Sequence, residues 1–441
     1  MPSILSTSPS SSYWQVESPP SPIKPSALDK TTDILIVGGG YSGLSAALVC
    51  AKAGHAVTVV DADQIANGAS VRNAGMFGAH PKLPYAVVAK TYGEKTAQSL
   101  LQEAQTAYQF TKNLINNNHI NCQLQLCGRV QGASTIAHFK NQQRLAQELK
   151  QYTDIQVKVL QQADLREEIN TQSYIGGLLF PEHGGLHPQQ FHSGLVQLAI
   201  KHGVNLHPQT PVQAINQYGN GFTAITSKGD IQAKKVIITA NGYLQGKFSW
   251  LAKRVFPLPS FIAVTAPRPP EFWQQLFPRQ RMVVETRAKH CYYRLTPDGT
   301  RLLLGARASL RPINLTLAAK RLHTCIADIF PSLSDLSIDY CWTGNTGYTF
   351  SHLPNIGVTN GMHYAMGYSG SGVVMAPYLG MKVAHQALGD ERGQTAFTKT
   401  QLQSRPFYFG GKKPAFLFLA DWYYNKIVDT KENRAHKKDT Q

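Results

Sequence analysis

Asp33-Ile-Leu-Ile-Val-Gly-Gly-Gly-Tyr-Ser-Gly43 decides the fold. A β-branched apolar run feeds a glycine turn, and the turn opens a helix carrying Leu44, Ala47 and Leu48. Gly38, Gly40 and Gly43 fill the three glycine slots of G-x-G-x-x-G. The first permits the tight turn, the second lets backbone approach a pyrophosphate, and the third lets helix and strand close up. A second apolar run, Val57-Thr-Val-Val, ends on Asp61, 18 residues after Gly43. The helix start, with Tyr41 and Ser42, suits phosphate charge, and Asp61 suits a ribose hydroxyl. Strand, turn, helix and acid agree on one ligand class, an adenine dinucleotide.

The chain has 441 residues, enough for two domains around substantial cores. Apolar residues make up 42% and charged residues 16%, the balance of a soluble globular enzyme. No run reads as a membrane span, and the first residues do not read as a signal or transit peptide. Six cysteines (50, 122, 127, 291, 325 and 341) form no C-x-x-C pair and no metal-ligand spacing. No metal site is expected, and free thiols in the reducing cytoplasm are the simplest reading. The net charge of +17 is uneven, because residues 244–321 hold 14 Lys and Arg against three acids. That segment reads either as a solvated basic face or as a surface attracting anionic substrates, a membrane or nucleic acid. No nucleic-acid-binding motif supports the last.

Residues 1–29, rich in Ser and Pro, read as an irregular arm. Helical spacing marks 92–118 and 134–151, and His187-Pro188 opens a helix over 189–202. Short alternating runs between Val204 and Thr239 suggest antiparallel strands, and Lys235-Val-Ile-Ile-Thr-Ala-Asn-Gly242 reads as a buried strand ending in a turn. A late strand and glycine loop, His363-Tyr-Ala-Met-Gly-Tyr-Ser-Gly-Ser-Gly372, leads into a helix from Val373 to Leu388. This second strand–glycine–helix unit points to a flavin rather than a nicotinamide, since a helix start near Gly372 suits the negative charge of a reduced flavin ring. The apolar stretch Pro414–Tyr424 is short. It is expected to pack on the body, with membrane contact as the alternative, and residues 425–441 are expected to fray.

Together these pieces resemble the D-amino-acid oxidase family of FAD-dependent oxidoreductases. Gly68-Ala-Ser-Val-Arg-Asn73, Thr210-Pro-Val212, Ala240-Asn-Gly242, Tyr340-Cys-Trp-Thr-Gly344 and Leu353-Pro-Asn-Ile-Gly357 match its landmarks. Ser12-Tyr-Trp14, Asn241-Gly-Tyr-Leu244 with Ala252-Lys-Arg-Val255, and Gly367–Gly380 are similar to its gamma-glutamylputrescine oxidase branch. The sequence departs from the family in having Ser371 where a loop histidine is frequent, and Val374 where sarcosine oxidases carry lysine.

The resemblance implies an α/β fold: a Rossmann-like FAD-binding domain (30–80, 150–243 and 335–395) with an inserted α+β substrate domain (81–149 and 244–334) and a tail over 396–441. It implies non-covalent FAD, with Cys341 as the nearest candidate for a covalent bond. The cofactor-binding set is Gly38, Gly40, Tyr41, Ser42, Gly43, Asp61, Ser70, Arg72, Asn73, Val212, Gly242, Gly370, Ser371, Gly372 and Val373. Arg294 and Tyr293, on a strand of the kind the family lays over the flavin, are candidates to anchor a substrate carboxylate; a surface arginine is the competing reading. The implied reaction is oxidation of the C–N bond of an amine or amino acid by hydride transfer to flavin N5. The imine is then hydrolysed, and oxygen or a quinone accepts the electrons. The alternatives are a D-amino-acid dehydrogenase coupled to quinone, and a flavin module of an RNA-modifying protein.

Overall fold

A computed structural model of the chain describes residues 11–23, 26–65, 67–79, 83–244, 248–411 and 414–440. Two eight-stranded sheets organise them. In the first, Thr31–Val37 runs parallel to Val57–Val60 on one side and to Gly229–Ile238 on the other. Asn205–His207 extends the first flank and Met362–Met366 the second, both in parallel. All four residues of Val57–Val60 are buried, as a parallel strand covered on both faces requires. Strand Gly229–Ile238 is long enough to do two things: its first part pairs with the hairpin strand Gly221–Thr226, and its end pairs with Met362–Met366.

The second sheet runs, in spatial order, Ile338–Thr349, Val255–Thr265, Leu302–Ala306, Tyr292–Leu295, Met282–Glu285, Arg129–Ala133, Gly176–Phe180 and Lys158–Gln161. Its two faces differ. One carries Phe261, Ala263, Tyr293, Leu304 and Cys341 into a core shared with helix Leu315–Ile329. The other carries Ile262, Leu303 and Trp342 against Ala74, Met76 and the aromatic residues of the N-terminal arm. That second face looks onto the first sheet's loops.

Four expectations need correction. Segments 158–161, 176–180 and 338–349, expected in the FAD domain, pair within the second sheet. Helix Glu94–Asn117, expected in the substrate domain, packs its Leu100, Leu101 and Ala107 into the core of helices Tyr41–Lys52 and Gly372–Leu388. Strand partners are set by edges that meet far apart in sequence, so period-two patterning identifies a strand without naming its sheet.

The arm is not irregular throughout. Tyr13–Glu17 is helical, started by a capping box between Ser12 and Gln15, and Trp14 is fully buried. Residues 1–10 of that arm lie outside the described residues. The tail does not fray either: Phe416–Tyr423 continues through Tyr424–Val428 into Asp429–Thr440. Tertiary contacts hold this polar helix: Arg307 reaches Asp429 at 2.5 Å, and the backbone N–H groups of Ala288 and Ile136 donate to Glu432 and Asp439. Among the described residues, no helix is long and apolar enough to cross a membrane.

Candidate active site

The glycine turn is held from three sides. Gly38 adopts φ +108°, a backbone that disfavours side chains. The Gly39 N–H donates to Asp61 Oδ2 at 2.8 Å, and the Tyr41 N–H donates to Ser70 Oγ at 3.1 Å. His192 Nε2 contacts the Gly39 carbonyl at 2.8 Å. A Cβ at Gly40 would lie 2.9 Å from Ser70 Oγ, and one at Gly43 would lie 1.9 Å from the Gly38 carbonyl oxygen. Burial raises the Asp61 carboxyl above its ordinary pKa, although the N–H groups of Gly39 and Asp63 oppose the shift. Thr210 donates its N–H to the Asp61 carbonyl at 2.7 Å, two residues before the strand that begins at Val212.

Residues 67–77 form the second wall. Asn73 knits this loop: Nδ2 donates to the carbonyls of Ala69 and Ser70 at 3.1 and 2.9 Å, and Oδ1 accepts from Gly75 at 2.8 Å. Arg72 donates to the Asn67 carbonyl at 3.0 Å and to the Thr343 carbonyl at 3.2 Å, tying the loop to the second sheet. Two indoles clamp the backbone from outside, Trp14 Nε1 on the Asn73 carbonyl at 2.8 Å and Trp342 Nε1 on that of Arg72 at 2.9 Å. Arg72 and Asn73 therefore work as braces in this geometry. No motif marks Trp14 or Trp342 for this task; the signals visible in the chain are the Ser12 capping box and the tryptophan of Tyr340–Gly344.

The third wall joins two glycine turns. Asn241 takes φ +46° and its Oδ1 accepts the Gly367 N–H at 2.9 Å. A Cβ on Gly242 would stand 2.9 Å from the Gly347 Cα. Gly367, Ser369 and Gly370 all have positive φ, and Ser369 donates its N–H to Gly347 at 3.0 Å. Ser371 Oγ donates to the Tyr368 carbonyl at 2.7 Å, just before helix Gly372–Leu388 begins with Gly372 and Val373. That helix crosses the fingerprint helix so closely that a Cβ on Gly380 would lie 2.2 Å from the Ser42 carbonyl. Ser42 Oγ also bonds the Tyr368 hydroxyl.

Above these loops lies the open face of the second sheet. Tyr292 Oη and Ser260 Oγ are 2.8 Å apart there, and the Tyr292 ring lies across Gly305. Alternation along the strand places Tyr293 on the opposite face, a correction to its expected anchoring role. It is buried in the aromatic core with its hydroxyl 3.0 Å from that of Tyr174. Arg294 returns to the Tyr292 side but is fully buried, not a surface arginine. Its Nη1 donates to Leu186 at 3.0 Å and its Nε to Leu295 at 3.0 Å, while Nη2 has no partner. Burial pulls its pKa down to about 10. Cys341 faces the core beside Ala263, away from the loops, as a non-covalent flavin requires.

The cleft fits a dinucleotide. Its cradle at Gly40 is one that a side chain would fill, and a buried carboxylate stands at the strand end, where it could accept from a ribose hydroxyl.

A model of the family described as FAD-dependent oxidoreductase (DAO) matches residues 33–386. The chain belongs to that family. This oxidoreductase is 30% identical over 403 residues to the gamma-glutamylputrescine oxidoreductase of Escherichia coli (strain K12), covering 90% of this chain and 92% of that one. It is 28% identical over 428 residues to the probable oxidoreductase OrdL of Rhizobium meliloti (strain 1021), covering 94% and 97%. The crystal structure of glycine oxidase from Geobacillus kaustophilus superposes with a TM-score of 0.69 at 20% identity, covering 86% and 99%. That likeness shows the shared fold. FAD is the cofactor of the oxidoreductase, and when bound it supplies the two-electron chemistry.

Burial of His192 against the Gly39 carbonyl predicts an acid-sensitive fingerprint. Burial pushes His192 down to about 4 from an ordinary 6.5. The unfolded chain therefore binds a proton that the folded one refuses between those values, so stability falls as pH drops from 6.5 to 4. We expect unfolding midpoints to decline across that window, less steeply in His192→Gln. An unchanged slope in the variant would remove His192 as the cause.

Proposed function

We propose that the oxidoreductase oxidises the C–N bond of a small amine or amino acid, with a substrate resembling gamma-glutamylputrescine. One observation carries this reading: the glycine loops, read as the dinucleotide cradle, meet beneath a sheet face that offers half-buried hydroxyls, Tyr292 and Ser260, beside half-buried Leu258, with Ile262 and Trp342 buried behind them. An amine losing hydride from its carbon must be neutral, desolvated and aligned. Apolar walls favour the neutral amine, and the paired hydroxyls give it one hydrogen-bonding direction. FAD held by the glycine turn, Asp61 and the Ser70 loop would supply the acceptor for this hydride, and the imine product would be left for water to hydrolyse. Oxygen is the acceptor in this reading, and the expected cytoplasmic location goes with it.

The basic segment does not favour an RNA-modifying role. Arg281, Arg301, Arg307 and Arg311 pair with Glu168, Asp339, Asp429 and Asp421 from outside the segment, and Arg287 pairs with Glu285. Lys247 lies outside the described residues.

The test is anaerobic bleaching of the bound flavin by gamma-glutamylputrescine, putrescine, D-amino acids, glycine and sarcosine, each alone. Bleaching by the glutamyl amine supports the proposal; bleaching by D-amino acids alone replaces it with the dehydrogenase. Tyr292→Phe should raise KM for the amine about fivefold with kcat nearly kept, the worth of one neutral hydrogen bond. No change in KM would take Tyr292 out of substrate binding.

A further inference from the structure

The C-terminal helix wears two different faces. Leu417, Asp421 and Val428 turn toward the body, and the Leu310 N–H donates to Asp421 at 2.8 Å. The opposite side is largely apolar and exposed: Phe418 is 58% exposed, with the Arg311 guanidinium 4.9 Å from its ring centroid, Leu419 69%, Trp422 57% and Ile427 45%. The adjoining loop adds Phe409 at 78% exposure, and Phe407 stacks edge-on to Phe416 with ring centroids 5.3 Å apart. Isolated exposed apolar side chains are ordinary, but a run of large ones on one ridge is not.

Charge is sorted along the same helix. Its acids turn inward: Asp429 meets Arg307 at 2.5 Å, Glu432 accepts from Ala288 at 2.7 Å, and Asp439 accepts from Ile136 at 2.9 Å. Its bases Lys426, Lys431, Arg434, Lys437 and Lys438 are exposed. A helix that turns tryptophan, phenylalanine and leucine outward and continues into outward lysines matches the interfacial helices that lie flat on bilayers. The tryptophan suits the headgroup boundary, and the lysines suit anionic lipid.

We propose that residues 407–411 and 414–438 dock the protein peripherally on an anionic lipid surface, with Phe418, Leu419 and Trp422 entering the headgroup boundary. The partner is a bilayer rather than a second copy of the chain, because the basic run beside the ridge would repel its own image while complementing acidic headgroups. Leu417 and Tyr408 share a small core with Leu258 beneath the ridge, but Phe418, Leu419 and Trp422 lie outside that core, so vesicle binding is read independently of the substrate.

The experiment is sedimentation of the full-length, FAD-loaded protein with vesicles of phosphatidylcholine alone or mixed with phosphatidylglycerol. Binding should require phosphatidylglycerol and weaken with salt. It should fall more than tenfold in the double variant Leu419→Glu/Trp422→Glu, whose visible flavin spectrum and turnover in solution should be unchanged. Lys437→Glu/Lys438→Glu should weaken binding severalfold while leaving the ridge intact. Failure of the wild-type protein to bind anionic vesicles overturns the proposal, as does equal binding by the ridge variant. A wild-type dimer that dissociates in the ridge variant, without vesicle binding, would assign the ridge to self-association instead.

Discussion

Gly43→Ala is expected to yield a protein that no longer retains FAD. Inside an exposed helix this change would stabilise by about 1 kcal/mol, because glycine gives up more backbone entropy than alanine. Here the added Cβ would lie 1.9 Å from the Gly38 carbonyl oxygen and 2.8 Å from Thr239 Oγ1. Real carbon–oxygen contacts never come so close, so the helix must move away from the strand end. Gly38, Gly39 and Gly40 sit in the turn that joins them, and the Gly39 N–H bond to Asp61 would open with it. The helix start then no longer converges on the pyrophosphate. The purified variant should lack visible flavin absorption and should melt without a shift on adding FAD. A yellow, catalytically normal Gly43→Ala protein would show that the strand and helix tolerate separation, contrary to the packing described.

Arg294→Ala is expected to cost about 4 kcal/mol of folding stability and to loosen flavin binding as a consequence. The guanidinium is fully buried, and its Nη1 and Nε hold the carbonyls of Leu186 and Leu295. A Cβ on Gly75 would lie 3.1 Å from Nη1 and one on Gly185 only 2.3 Å away, so the loop and strand backbones close directly onto this side chain. Removing it strands buried carbonyls at about 1–3 kcal/mol each. The cavity left behind adds about as much again. Arg294→Lys should recover only part of the loss, since an ammonium lacks the planar fork that serves both carbonyls. Denaturant midpoints and flavin content are the readouts. The contrary result would be an Arg294→Ala protein of wild-type stability whose KM rises only for carboxylate-bearing substrates, which would restore Arg294 as the anchor.

The backbone geometry of the proposed dinucleotide site was legible because it is local. Gly38, Gly40 and Gly43 are confined by backbone torsion and by contacts within one strand–turn–helix unit, so their spacing alone carries the information. Asp61 belongs with them because a parallel neighbour strand ends beside the turn. The late loop through Gly370 was legible for the same reason: Gly367 and Gly370 have positive φ, where side chains are disfavoured.

The substrate side was less legible. Tyr292, Tyr293 and Arg294 are adjacent in sequence, and a shift of one residue exchanges the two faces of a strand. Only the pairing of Tyr292 with Gly305 across the sheet, and of Ile262 with Trp342 beside it, decides which tyrosine faces the loops. Arg72 was legible as a neighbour of the cofactor loop but not as the brace to Thr343, a contact spanning most of the chain.

The sequence by itself determined the glycine cradle, the acidic strand end, the second flavin-type turn and hence an FAD-binding α/β fold, since each rests on torsional or steric limits acting over a few residues. The tertiary structure alone decided that Trp14 and Trp342 clamp the loop over residues 67–77, that Tyr293 is core and Tyr292 is not, and that residues 425–440 form a helix. Those outcomes depend on burial and on hydrogen bonds between segments far apart in the chain, where no local propensity selects the partner.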